Sequence, residues 1–143
     1  MASVKINAKS GGKSISASIR KEMEDTVEPK LRAELEAIGD YATNISPVWS
    51  GAYVESFSFV PAGSGAGRMR KSRPDDDRRE QRWEIISGAQ AELRADLNKI
   101  DLMEVSGVVL RNRSPHARDV EYGPTPRKSS GYAVFAKVKD RFR

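Results

Sequence analysis

The chain has 143 residues, with 25 Lys and Arg against 20 Asp and Glu, a formal net charge of +5, 31% charged and 7% aromatic residues. That length makes one ordinary domain, which buries roughly 68 to 70% of its unfolded surface and folds without a metal or a disulfide. The lack of cysteine excludes disulfides and thiolate zinc sites, and neither a long apolar run nor a signal-peptide core interrupts the chain, so a soluble, unexported protein with no membrane partner is expected.

Val4, Ile6 and Ala8 alternate with Lys5, Asn7 and Lys9, the period of a half-buried strand, and Gly11-Gly12 follows as a turn. A second alternation at Ile15, Ala17 and Ile19 either pairs back on that strand or leads into a helix. From Ile19 the apolar positions are Met23, Val27, Leu31, Leu35, Ile38, Ala42 and Ile45, one face of an amphipathic helix. Pro29 opposes it by about 3 kcal/mol. Each buried Leu, Ile or Val contributes about 1.5 to 3 kcal/mol, and the stripe keeps phase across Pro29, so a kinked or restarted helix is expected. Unbroken, it would be about 42 Å long, more than a compact domain of this size accommodates.

Ser46-Pro47 ends the helix, and Ser50-Gly51 supplies a turn. Tyr53 to Val60 then reads as a strand with Tyr53, Glu55, Phe57 and Phe59 on one face. Residues 61–82, rich in Gly, Ser, Pro and charge, read as an exposed loop or arm. That arm carries Arg68, Arg70, Lys71, Arg73, Arg78, Arg79 and Arg82 against Asp75, Asp76, Asp77 and Glu80. Trp83 to Ile86 reads as a strand re-entering the core, Ser87 with Gln90 as a capping box, and Ala89, Leu93, Leu97 and Ile100 as a second helical stripe. Val105 to Asn112 reads as a strand. Tyr132, Val134, Ala136 and Val138 suggest a last one, with a closing helix as the alternative. The expected fold is therefore α+β in a single domain over 1–143. A mainly antiparallel sheet of four to five strands packs against a long N-terminal helix and a second, shorter helix.

The residues offer little for catalysis. A nucleophilic triad lacks cysteine, and His116, the one histidine, sits in a turn. Asp75, Asp76 and Asp77 could hold magnesium, but they lie between Arg73 and Arg78 in a loop without rigid support, where a solvated charge run is the plainer reading. GSGAG at 63–67 is not followed by the Gly-Lys-Ser/Thr of a phosphate loop. A non-enzymatic protein without cofactor or metal is expected. The basic loop and a C-terminal stretch with Arg127, Lys128, Lys137, Lys139, Arg141 and Arg143 against Asp140 suit either a polyanion or acidic protein surfaces. The loop lacks aromatic stacking partners, which disfavours sequence-specific single-strand recognition.

A long N-terminal amphipathic helix ends in Ser46-Pro47-Val48-Trp49-Ser50-Gly51-Ala52. A valine-rich strand, Val105 to Asn112, is followed by Ala117 and Val120-Glu121-Tyr122-Gly123. This punctuation resembles the tail-completion and neck proteins, the head-to-tail joining family of long-tailed bacteriophages. The resemblance covers most of the chain, with Trp49-Ser50-Gly51 where the family usually has Asp-Thr-Gly. It implies a structural virion subunit, made in the host cytoplasm, that assembles in a six-fold ring with copies of itself between head and tail. Neighbouring neck and tail proteins would be its partners, with non-specific contact to packaged DNA. Pro47, Gly51, Glu121, Tyr122 and Gly123 would define the fold, while the basic arm would grip subunits or face the DNA channel. The competing readings are a small basic nucleic-acid-binding module and, behind it, a nuclease or toxin.

Overall fold

In the computed structural model the backbone is described for residues 2–6, 17–71 and 77–143, and side chains from Ile19 onward. The first strand, β1 (Ala2–Ile6), precedes a helical run made of α1 (Ala17–Glu22), a π-helical turn (Met23–Val27) and α2 (Glu28–Asn44). Next come a single turn α3 (Ala52–Glu55), β2 (Phe57–Pro61), α4 (Arg82–Asn98), β3 (Val108–Asn112), α5 (Ala117–Tyr122) and α6 (Val134–Arg141).

The long helix keeps its expected extent, and Pro29 falls in the first turn of α2, directly after the π turn. A four-residue repeat drifts about 40° per step around an α-helix. A π turn, closed by i to i+5 bonds, rotates less per residue and brings the stripe back into register. It also accommodates the hydrogen bond that Pro29 cannot donate.

Two antiparallel pairings join three strands in the order β1-β3-β2, which corrects the expected four to five. The surplus strands are helices. Tyr53 to Glu55 belongs to α3, so strand β2 begins only at Phe57. Ile85 and Ile86 sit in phase with Ala89, Leu93 and Leu97, and all five are buried on α4, so the Trp83–Ile86 stretch is the first turn of a helix. Trp83 itself is 69% exposed rather than in the core. The expected capping pair lies mid-helix, where Gln90 Nε2 donates to Thr43 Oγ1 instead (3.1 Å). The last segment takes the alternative reading. Val134, Phe135 and Val138, at helical spacing, are the buried residues of α6. Ala17 and Ile19 belong to α1, while Ile15 and the Gly11-Gly12 turn lie outside the described residues.

Val108, Leu110, Phe57 and Phe59 share the inner sheet face and pack with Leu35, Ile38, Leu93, Leu97 and Phe135 into one core. Phe57 meets Tyr53 and Phe135 at ring separations of 5.3 and 5.9 Å. Helices α2 and α4 run antiparallel and exchange guanidinium caps. Arg32 Nη1 donates to Leu97 O at the end of α4 (2.7 Å), and Arg82 donates to Asn44 O at the end of α2 and Ser46 O just past it (both 2.8 Å). Both guanidinium groups thus sit at helix C-termini, where the helix dipole favours a cation.

The first half of the 61–82 segment is a cover over the sheet and does not extend as an arm. Gly65 lies against Val60, and Gly67 with φ of +82° passes so close that a Cβ would stand 2.9 Å from Ser58 Cβ. Arg111 and Arg113 donate to the carbonyls of Gly65 and Gly67 (3.1 and 3.3 Å). This is why Ser58 and Val60, on the outer face of β2, are buried too. The free edge of β2 is closed by an ion pair. Asp96 Oδ2 accepts the Phe59 N–H (3.0 Å), Arg68 donates to Phe57 O, and Arg68 Nη2 lies 2.5 Å from Asp96 Oδ1.

Candidate functional site

The turn at 46–52 is built by its own polar atoms. Ser46 Oγ donates to Ala42 O (2.6 Å), and Ser50 Oγ accepts the Ala52 N–H (3.3 Å). Gly51, with φ of +92°, then starts α3. A side chain there would press on Ile85 Cδ1 at 3.2 Å. Within this turn Pro47 and Val48 are half-buried, and Trp49 is 50% exposed.

The Val120–Gly123 turn crosses residues 129–133 at close range. Tyr132 and Ala133 donate backbone N–H bonds to Val120 O and Glu121 O (2.6 and 3.1 Å). A Cβ on Gly123, whose φ is +78°, would stand 2.2 Å from Ser129 O, so only glycine fits. Glu121 is buried, and its carboxylate accepts the N–H groups of Phe135 (2.9 Å) and Ala136 (3.1 Å). It therefore caps the N-terminus of α6, where the preceding Ala133 has φ of +49° and brings no side-chain cap of its own. Tyr122 is 70% exposed.

Although about 70 residues separate them along the chain, the two turns meet across one cleft of about 860 Å³. Its walls include Pro47, Val48, Trp49 and Gly51 from the first turn, Val120 from the second, and Pro124 and Pro126 just after it. Arg79, Arg82 and Arg127 line it against one carboxylate, Asp119, with His116 at the exposed rim. The Arg79 and Arg127 guanidinium carbons lie 4.1 and 5.3 Å from the Trp49 ring centroid, cation–π contacts that hold both charges over an aromatic face. Arg78 N–H donates to Trp49 O (2.6 Å), and its guanidinium pairs with Glu55 (3.2 Å), tying the end of the 61–82 segment to the cleft.

The seven basic residues of that segment thus divide. Arg68 and Arg70 pair with Glu92 and Asp96 on α4, Lys71 is exposed, and Arg73 lies outside the described residues. Arg78, Arg79 and Arg82 belong to the cleft or its support. Arg79 also pairs with Asp77 (2.7 Å), whose carboxyl is held below the usual range by Arg79 hydrogen bonding. Sequence reasoning missed Trp49 and Arg127 as site residues. Their signal was faint: an aromatic between two turn residues, and one arginine in a Pro-rich stretch.

Among the described residues no group of three His, Asp or Glu side chains is placed to hold a metal ion, and no helix is long and apolar enough to cross a membrane. Asp75 and Asp76 lie outside the described residues. Tyr53 presents a buried hydroxyl without a hydrogen-bond partner. Burial, and then the charge of Glu121, push its ionisation well above the usual tyrosine range. Compared with known protein families, curated proteins and solved structures, the chain matches none.

Proposed function

We propose that the chain is a structural virion subunit of a tailed phage, of the neck or tail-completion kind, that joins or completes head and tail by docking into a ring. One observation carries the reading. Residues 46–52 line one wall of a cleft whose other wall holds Val120 of the second motif and the Pro124–Arg127 stretch that follows it, so the two motifs behind the phage resemblance, remote in sequence, meet at one cleft. Around it an indole stays half exposed between two guanidinium groups. Aromatic and arginine side chains are the residues that most often anchor protein interfaces.

The nucleic-acid-binding alternative loses ground because Arg68, Arg70, Arg78 and Arg79 all sit in intrachain ion pairs. Paired cations release fewer counterions from DNA. The test is a phage carrying Trp49→Ala with Arg127→Glu. Unjoined heads and tails in electron micrographs are expected, while the purified variant keeps the wild-type circular dichroism spectrum. Normal yields of infectious tailed particles would overturn the reading. Steeply salt-dependent binding of duplex DNA by the wild-type chain would favour the alternative.

A further inference from the structure

Two apolar surfaces lack a cover among the described residues, and they lie at opposite ends of one helical run. At the N-terminal end Ile19 is 52% and Val27 38% exposed, with Met23 half-buried between them. No residue from Ile19 to Glu34 is buried, and the core begins at Leu35. The same stretch carries Glu22, Glu24, Asp25 and Glu28. Glu24 and Glu28 pair with Arg20 and Arg32, whereas Glu22 and Asp25 make no ion pair among the described residues. Arg20 also pairs with Glu104, which fixes the start of the run beside the loop before β3 and presents the stripe outward. At the other end, beyond Ile45, lies the Trp49 cleft with its three arginines and one aspartate.

The surfaces are complementary: an apolar ridge flanked by carboxylates, and an apolar cleft rimmed by guanidinium groups. They cannot meet within one molecule. Met23 and Ile45 are about 33 Å apart along a helical run that rises 1.5 Å per residue, and its far half is locked to α4 by the exchanged arginines.

We propose that the Ile19–Glu28 ridge of one copy seats in the Trp49 cleft of the next. Ile19, Met23 and Val27 cover Trp49, Val48 and Pro126, and Glu22 and Asp25 meet Arg127 and, in exchange for its Asp77 partner, Arg79. The proposal rests on the docking reading only in taking the cleft for an interface. Each copy offers a ridge on one side and a cleft on the other, so the contact is heterologous and builds a ring or an open helical array.

Sedimentation velocity of the full chain tests this, using Glu22→Lys with Asp25→Lys on the ridge and Arg79→Glu with Arg127→Glu on the cleft. Wild type should associate with rising concentration, and less in high salt. Each swapped variant should associate about tenfold or more weakly, with an unchanged circular dichroism spectrum. An equal mixture of the two, and the chain carrying all four changes, should recover wild-type association, because each acidic surface again faces a basic one. A wild-type chain that stays monomeric to millimolar concentration, swaps that associate like wild type, or a mixture that recovers nothing would each overturn the proposal. None of these results depends on phage particles. Normal infectious tailed particles from a phage lacking the chain would sink the virion reading alone.

Discussion

Replacing Glu121 removes the acceptor for two N–H groups at the start of α6, that of Phe135 buried and that of Ala136 part-buried. A hydrogen bond to a charged acceptor contributes about 1.5 to 3 kcal/mol, and a buried donor left without a partner costs about 1 to 3 kcal/mol. Relief of the carboxylate's own desolvation offsets part of that loss. The net cost of Glu121→Ala is therefore about 2 to 4 kcal/mol, comparable to the strongest N-cap effects plus the lost packing. Glu121→Gln keeps one oxygen in place and should cost about 1 to 2 kcal/mol. Urea unfolding followed by circular dichroism reads both. With a slope of about 1.5 kcal/mol per molar, the alanine variant should shift the midpoint by about 2 M. Two variants within about 0.5 kcal/mol of wild type, or glutamine more damaging than alanine, would refute the capping role.

Gly123→Ala should cost more than about 3 kcal/mol, because its Cβ would overlap Ser129 O at 2.2 Å in a left-handed backbone; a thermal melt shows it. Gly51→Ala, whose Cβ would press a flexible Ile85 side chain at 3.2 Å, should cost about 1 to 2 kcal/mol in the same assay. Tyr53 holds its proton more tightly folded than unfolded. That stabilisation is complete below the unfolded value of about 10 and is lost as pH rises beyond it. Tyr53→Phe should abolish the alkaline loss in urea titrations up to about pH 11, without weakening the fold at neutral pH, since its hydroxyl has no partner. Deleting residues 63–67 should lower the unfolding midpoint by baring Ser58 and Val60; an unchanged midpoint would contradict the covering role.

The helical stripes were legible because their spacing is long and regular: Leu35, Ile38 and Ala42 on one helix, Ala89, Leu93 and Leu97 on the other, all buried. The short segments were not. Tyr132 to Val138 alternates like a strand and also fits i, i+1, i+4 of a helix, and only the remote Glu121 cap settles which it is. Ile85 and Ile86 carry high strand propensity, yet packing against the first helix overrides it. The charged segment was read as an arm because composition reports solvation and says nothing of the carboxylates awaiting it on α4. The motif glycines were readable as turns, but that their two turns face one another is a tertiary fact carried by neither.

The clasp of Arg68 and Asp96 on β2 has a consequence for how copies can meet. An unpaired strand edge invites another chain to add its own backbone, whatever side chains it carries. Here the Phe59 donor and the Phe57 acceptor are already occupied by side chains of the same molecule. Open-ended growth of the sheet through this edge is blocked, so copies in the proposed array would recognise one another by shape and charge. Loosening the clasp, as in Asp96→Ala, would give such crowded copies a less selective way to stick.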